Sequence, residues 1–275
     1  MMMQEERLTV DDRLLQIARR QFCLDIGMEW EEYEKQPDKK CYICKTTYAK
    51  DSSFAAMEGA RRYAGTDSFF KAIICMGQLF LSVDEQIYDW AVVKFADCQP
   101  QWFCEYGNLR MIDEKLREYQ RQIKDTHIYF LPAIKEPDMK PMDLVTVWYE
   151  QDDILQFKEA NPFTSAICFS PTQPDVLAVA ALKEGKVQPT NDNLAGMAGV
   201  SEDGRYLWQI GINVVSEYAR KGLAVQLVNM LKTEVLQRNK IPFYGTSESH
   251  TISQTVGLKA GFAPAWTEIY VEPIE

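Results

Sequence analysis

From Asp11 to Ile26, "DDRLLQIARRQFCLDI" repeats its apolar residues at helical spacing, with Leu14, Leu15, Ile17, Ala18 and Phe22 in the pattern. An amphipathic helix is predicted there. A second helix is expected over "FAAMEGARRYAG", residues 54–65, stopped by Gly65. The apolar runs "FKAIICMG" and "QLFLSV" read as strands, "EQIYDWAVVKFA" as a helix and "QWFCEY" as a strand. A charged helix, "NLRMIDEKLREYQRQI", and a strand, "THIYFLP", complete this half.

The segment Leu131–Asp143, "LPAIKEPDMKPMD", carries three prolines between two apolar runs. Proline lacks a backbone donor and disfavours helix in the residue before it, so a linker is expected. The boundary falls near residue 138, giving domains 1–137 and 138–275. Beyond it the alternation is clearer. "DLVTVWYE" is a strand, and "QDDILQFKEAN" a short helix capped by Asp152 or Asp153. "DVLAVAALKEGK", "LAGMAGVSEDG" and "YLWQIGINVV" are successive strands. A helix follows whose apolar face carries Leu223, Leu227, Val228, Leu231 and Val235. The strand "IPFYG", a helix over "TISQTVGLKA" ended by Gly261, and the strand "AWTEIYVEP" close the chain.

This succession is α/β of the α+β type, a mixed sheet covered by helices. Both halves end in the order strand, helix, strand, helix, strand, with low residue identity between them. An internal duplication and a coincidence in a common succession both account for that order.

Composition narrows the function classes. The chain has 275 residues, 46% hydrophobic and 25% charged, as an ordinary globular protein does. A net charge of −10 argues against nucleic acid. An acidic surface suits a small cationic substrate, or serves solubility alone. The N-terminal stretch is charged throughout, so no signal peptide is expected, and no apolar run reaches the roughly 20 residues of a membrane helix. Seven cysteines, an odd number, argue against a disulfide framework. A reducing cytoplasm is the expected location. Cys41 and Cys44 form a lone CxxC without the two further ligands a zinc site needs, so no metal is expected. The aromatics Trp102, Phe103, Tyr106, Trp148, Tyr149 and Trp266 could line an amine pocket, although strand aromatics ordinarily pack.

Chemistry concentrates in "INVVSEYARKGLAVQLV", where Gly222 separates a strand from a helix. A helix N-terminus presents free N–H groups and partial positive charge, an anion site. Gly222 keeps that end unobstructed, Ala224 keeps the next turn small, and Arg220 and Lys221 add charge. Residues 219–224 therefore read as a phosphate or pyrophosphate seat, or Gly222 simply breaks the turn. Neither GxxxxGK[ST] nor GxGxxG occurs.

"VSEYARKGLA" resembles the acyl-CoA-binding motif of the GNAT N-acetyltransferase superfamily, Q/R-x-x-G-x-G/A. "SHTISQTVGLKAGFAPAW" resembles its second motif, a helix ending in Lys-x-Gly-Phe. The resemblance covers about residues 143–275 and implies a GNAT-like C-terminal domain preceded by an N-terminal α/β domain, itself open to reading as a degenerate GNAT-like repeat. It also implies acetyl-CoA as co-substrate. The backbone of Ile212, Asn213 and Val214 would pair with the pantetheine arm. The N–H groups of Ala219, Arg220, Lys221, Gly222, Leu223 and Ala224 would hold the pyrophosphate. The chain departs from the motif at Ala219, where Gln or Arg is usual. In the N-terminal half the matching helix start bears Asp84, Glu85 and Asp89, which would repel a pyrophosphate; that half is left to substrate shaping or dimer contact.

The resemblance implies transfer of an acetyl group to a primary amine of a small molecule. A non-catalytic acetyl-CoA-binding or sensing protein is the alternative. The superfamily's usual carboxylate base matches Trp208, and its usual tyrosine acid matches Gly257, so both are missing. In "YGTSESH", at the loop where this fold opens its cleft, His250 could take a proton from an ammonium substrate and Glu248 could bind it. That same stretch also suits a helix N-cap. The acceptor amine and the oligomeric state, homodimer or other, stay open.

Overall fold

The computed structural model describes residues 9–46, 57–63, 68–139 and 142–274. Its elements are α1 (Asp12–Ile26), α2 (Trp30–Lys35), β1 (Cys41–Lys45), β2 (Phe70–Cys75), β3 (Gln78–Val83), α3 (Glu85–Phe95), α4 (Tyr106–Arg117) and β4 (Arg121–Pro132). There follow β5 (Thr146–Glu150), α5 (Gln151–Ile154), β6 (Asp175–Leu182), β7 (Leu194–Glu202), β8 (Leu207–Val214), α6 (Leu223–Gln237), β9 (Ile241–Thr246), α7 (Thr251–Lys259) and β10 (Phe262–Pro273). The chain forms two compact units: a C-terminal unit of residues 1–15 and 130–264, and an N-terminal unit of 16–129 and 265–275. The division thus falls at Phe130, before the proline-rich segment, and again inside β10, whereas the sequence places a single boundary at 137/138.

In the C-terminal unit the strands run in the order β9-β8-β7-β6-β5. The pairs β5/β6, β6/β7 and β7/β8 are antiparallel and β8/β9 is parallel. Side chains alternate across the sheet. Ala178, Ala180 and Met197 face a cluster with Tyr149, Ile154, Phe157, Phe163, Ala166 and Ile167, contributed by β5, α5 and the segment after it. Helix α6 covers the opposite face across β6–β9, burying Leu223, Leu227, Val228, Leu231 and Val235 as its spacing predicts. The cap of α5 is Glu150 rather than Asp152 or Asp153: Glu150 and Asp153 form a reciprocal capping box.

Two paired glycines bring the segment after α5 onto the sheet. A Cβ on Gly199 would lie 2.1 Å from the Ala166 carbonyl oxygen, and one on Gly211 1.9 Å from that of Ser165. The segment is closed by Asn161, whose Nδ2 donates to the Ile167 carbonyl at 2.7 Å and whose Oδ1 accepts from Phe163 N at 2.8 Å.

Lys232, on α6, is wholly buried and places its Nζ 2.6 Å from Oε2 of the exposed Glu136. Burial holds its ammonium below the ordinary value of 10.5, against the pull of Glu136. Between the lowered folded value and 10.5 the unfolded chain holds a proton that the folded chain has shed, so this group's contribution to stability rises with pH. Denaturant titrations of wild type and Lys232→Met from neutral pH up to 10.5 are expected to move relative stability steadily toward the wild type.

In the N-terminal unit the order is β1-β3-β2-β10-β4, with β1/β3 parallel and β2/β3 and β2/β10 antiparallel. One face packs Ile87, Ala91 and Phe95 of α3 and Ile112 and Leu116 of α4 against Ala72, Leu81 and Ile269. The other is aromatic: Phe22 lies 5.7 Å from Phe80 and 5.2 Å from Trp266, and Tyr129 stacks on Trp266 at 5.0 Å. Beside these rings sits a buried charge cluster. The Arg61 guanidinium lies 2.6 Å from both Asp25 and Glu268, and all three side chains are fully buried. Trp266 Nε1 and Tyr270 OH donate to Glu268 at 2.6 and 2.9 Å, and Gln21 Nε2 donates to Asp25 at 3.0 Å.

Two expectations in this half are corrected. "QWFCEY" is no strand: Pro100–Trp102 form a 3-10 turn and Tyr106 already begins α4. Proline at the first position sets a helical φ and removes a ladder donor. The parallel neighbour of β3 is β1, the "CYICK" stretch, for which the sequence predicts no strand. The helix over residues 54–65 is absent from 57–63, which form a turn and irregular chain; residues 54–56, 64 and 65 lie outside the described residues. The candidate aromatics are divided between the units, with Phe103, Tyr149 and Trp266 in packed cores and Trp102 and Tyr106 exposed.

Candidate functional site

The site grows from the parallel pair β8/β9. Their ladder runs Leu207↔Ile241, Trp208↔Pro242, Gln209↔Phe243 and Ile210↔Tyr244, and stops. Strand β8 continues to Val214 paired only with β7, through Gly211↔Gly199 to Val214↔Gly196. From Gly211 onward the two strands therefore part, and the β9-facing edge of β8 keeps its peptide groups free of ladder bonds. A fork of this kind offers donors and acceptors to an extended amide-bearing ligand, as a sheet edge does to a strand. Of the expected residues, Ile212 and Val214 turn their peptide groups to that edge, whereas Asn213, two residues before the Val215 N–H that donates to Ala195 O at 3.0 Å, turns its own toward β7. The Asn213 side chain is already engaged: its Oδ1 accepts from Ser165 N and Ala166 N at 2.6 and 3.0 Å.

Past the fork the chain makes a 3-10 turn at Ser216–Tyr218, with Ala219 N donating to Ser216 O at 3.1 Å. Arg220 then adopts φ +62° and Gly222 φ +85°, and α6 begins at Leu223. Gly222 is the N-cap and no side chain caps the helix; the first turn bond there is Gln226 N to Gly222 O at 3.1 Å. The N–H groups of Leu223 and Ala224 thus head a helix with its positive end open. The left-handed φ is what requires glycine, because a Cβ at 222 would meet nothing within 4 Å. Ala219, Arg220 and Lys221 are exposed, and Lys221 Nζ lies 5.1 Å over the Tyr218 ring. The six residues expected to seat phosphate thus occupy one exposed loop and helix start directly after the forked strand.

Glu248 and His250 lie in the loop from β9 to α7, both exposed. Gln254 fixes that loop by donating to the carbonyls of Ser247 and Glu248 at 3.3 and 2.6 Å. His250 occupies the N-cap position of α7 without a side-chain cap bond, so its imidazole is not spent on the helix.

Trp208 lies at the closed end of the ladder, paired with Glu202 and Pro242. Its ring is buried beneath Lys240 Nζ at 5.3 Å. A carboxylate at this position would stand away from the fork. Gly257 is different. A Cβ there would touch the Tyr244 ring at 3.0 Å, and Tyr244 OH bonds Ser253 Oγ at 2.8 Å. The strand tyrosine therefore fills the volume that a large side chain at 257 would claim, and carries its hydroxyl to the start of α7. Tyr244 belongs to the last ladder pair before the fork; burial raises its phenol above the ordinary 10.0, the Ser253 bond opposing. Tyr244 is buried, but no single-residue signal could pair it with Gly257.

Among its described residues the N-terminal unit has no equivalent. The β1/β3 ladder holds to its end at Lys45↔Val83, and Thr46 N continues it with a bond to Val83 O at 2.7 Å. The following helix is capped by Asp84, whose Oδ1 accepts from Gln86 N at 2.9 Å, and Glu85 pairs with Lys45 at 2.9 Å. Among the described residues no group of three or more His, Cys, Asp and Glu is placed to hold a metal, and no helix is long and apolar enough to cross a membrane.

No family model matches the sequence, and no curated protein matches it. Solved structures do. A GCN5-related N-acetyltransferase from Kribbella flavida aligns with a TM-score of 0.42 at 12% identity, covering 79% of this chain and 90% of that one. A GCN5-related N-acetyltransferase-like protein from Streptococcus suis gives 0.41 at 11%, covering 78% and 89%. The protein yncA from Salmonella typhimurium, solved with its cofactor acetyl-CoA, gives 0.32 at 12%, covering 49% of this chain and 95% of that one. The solved structures to which this chain is similar thus include members of the GNAT acetyltransferase family.

Proposed function

We propose that the chain is a GNAT-superfamily N-acetyltransferase, transferring the acetyl group of acetyl-CoA to a primary amine of a small molecule. The observation that carries this reading is the fork after Ile210↔Tyr244 leading straight into an uncapped helix N-terminus at Gly222. The free edge at Ile212–Val214 would take the pantetheine amides, and the N–H groups of residues 219–224 the pyrophosphate. When bound, acetyl-CoA supplies an activated acetyl group. Residues 138–275 carry this site, and the N-terminal domain, with its unforked β1/β3, acts as a degenerate partner without a coenzyme seat.

On the acceptor side, Glu248 attracts the ammonium and His250 takes its proton, giving the neutral amine that attack requires. The Tyr244–Ser253 hydroxyl pair stands at the mouth of the fork and serves as the proton donor to the leaving sulfur, in the place that Gly257 vacates. The acidic surface favours cationic acceptors such as polyamines. A reducing compartment suits the seven free cysteines.

Thiol release from acetyl-CoA over a panel of polyamines, amino acids and amine drugs tests this function. With the best acceptor, His250→Ala and Tyr244→Phe are each expected to lower kcat about 100-fold, and Glu248→Ala to raise KM, with acetyl-CoA affinity unchanged in all three. Turnover unaffected by all three would remove the catalytic assignment. The second reading is a coenzyme-binding sensor, favoured by Trp208 standing where a base would be expected; it predicts saturable binding with no thiol release for any amine.

A further inference from the structure

Cys41 opens β1, and Cys98 lies in the turn after α3, 57 residues further along the chain. Their sulfurs are 3.4 Å apart, and Cys41 Sγ also lies 3.7 Å from the Cys98 carbonyl oxygen. Both backbones are tied down. Cys41 is paired with Leu79 on β3, and Leu79 N donates to Lys40 O at 2.8 Å. Cys98 N donates to the carbonyl of the buried Phe95 at 3.2 Å. A disulfide needs the sulfurs at about 2.0 Å, so the observed contact is a short closure from a bond. The two thiols also differ. Cys41 is sealed, at 2% exposure, whereas Cys98 is only half-buried.

We propose that Cys41 and Cys98 are a redox couple, which peroxide converts from a dithiol to an intramolecular disulfide joining the start of β1 to the turn after α3. The more accessible Cys98 reacts first. Its thiolate attacks one peroxide oxygen, the O–O bond breaks, and the departing hydroxide takes a proton to become water, leaving a sulfenic acid. Cys41 then attacks the Cys98 sulfur, and the S–O bond breaks. The oxygen leaves as a second water, carrying the Cys41 proton. Two thiols lose two electrons and one peroxide gains them. The hydrogen bond between the sulfurs suits this order: it lowers the Cys98 thiol below its ordinary value and, with burial, raises that of Cys41. The couple lies within the N-terminal unit and does not depend on acetyl transfer.

The test uses the full chain carrying Cys168→Ser, which removes the exposed thiol. The reduced protein is treated with a few equivalents of hydrogen peroxide, alkylated, digested without reductant and analysed by mass spectrometry. The expected product is a pair of peptides joined through Cys41 and Cys98, lighter by two hydrogens and separated by dithiothreitol, with a raised Tm in the oxidised protein. Adding Cys41→Ser should halt the reaction at a sulfenic acid on Cys98 that dimedone traps. Recovery of Cys41 and Cys98 both alkylated, or of Cys98 driven to sulfinic acid with Cys41 unlinked, would overturn the proposal. Should the Cys41→Ser protein fail to fold, the linked peptide in its parent decides alone.

Discussion

Arg61→Ala loses about 3–5 kcal/mol of folding stability, the largest effect expected of any single substitution in the chain. Arg61 supplies the positive charge between Asp25 and Glu268, and all three side chains are fully buried. Its Nε and backbone N–H also donate to the two Asp25 oxygens, each at 2.7 Å. Removing it leaves two buried carboxylates with the donors Gln21, Trp266, Tyr270 and the backbone N–H of residue 61, and with Lys71, whose Nζ lies 3.9 Å from Asp25, as the cation that remains beside them. Uncompensated buried charge outweighs the modest gain of losing a desolvated ion. The combination Arg61→Met, Lys71→Met, Asp25→Asn, Glu268→Gln removes the charges together and is expected to recover most of the loss. Urea denaturation of Arg61→Ala and of the combined variant measures this. If Arg61→Ala alone costs under about 1 kcal/mol, the cluster is not the anchor of residues 57–63 that its geometry describes.

Gly222→Asp weakens acetyl-CoA binding about 100-fold or more, roughly 3 kcal/mol. A carboxylate at the N-cap would place negative charge where the open helix end would, on the proposed function, offer its N–H groups to a pyrophosphate. Gly222→Ala separates charge from conformation. It meets no atom within 4 Å, so its cost lies in forcing φ +85° on an alanine, about 1–2 kcal/mol of folding stability. Because that strain is present with and without ligand, its affinity should fall less than tenfold. Equal losses in the two variants would mean that the loop conformation, not the anion seat, governs binding.

How much of this was legible in the sequence depends on the range of the physical signal. The stretch from β8 through α6 to β10 reads correctly because strand alternation, 3.6-residue spacing and the stops at Gly222 and Gly261 are all local, and the structure shows both glycines at positive φ. "QWFCEY" misled because aromatic content mimics a strand, while Pro100 and the packing of Phe103 into the core produce a turn. "CYICK" drew attention as a thiol pair and concealed a strand, since five residues give too short a window for periodicity. The fork itself could not be read from the chain: it exists because Gly211–Val214 pair with β7 and not with β9. Likewise, Gly257 looks like the loss of a side chain until Tyr244 is seen filling its place.

Calorimetric titration with acetyl-CoA, free CoA and ATP tests the central claim most directly. The fork and the helix end at residues 212–224 predict saturable binding of both coenzyme forms and none of ATP, because ATP lacks the pantetheine arm that the edge of β8 would pair. Binding of neither coenzyme form, or of ATP equally well, would contradict it.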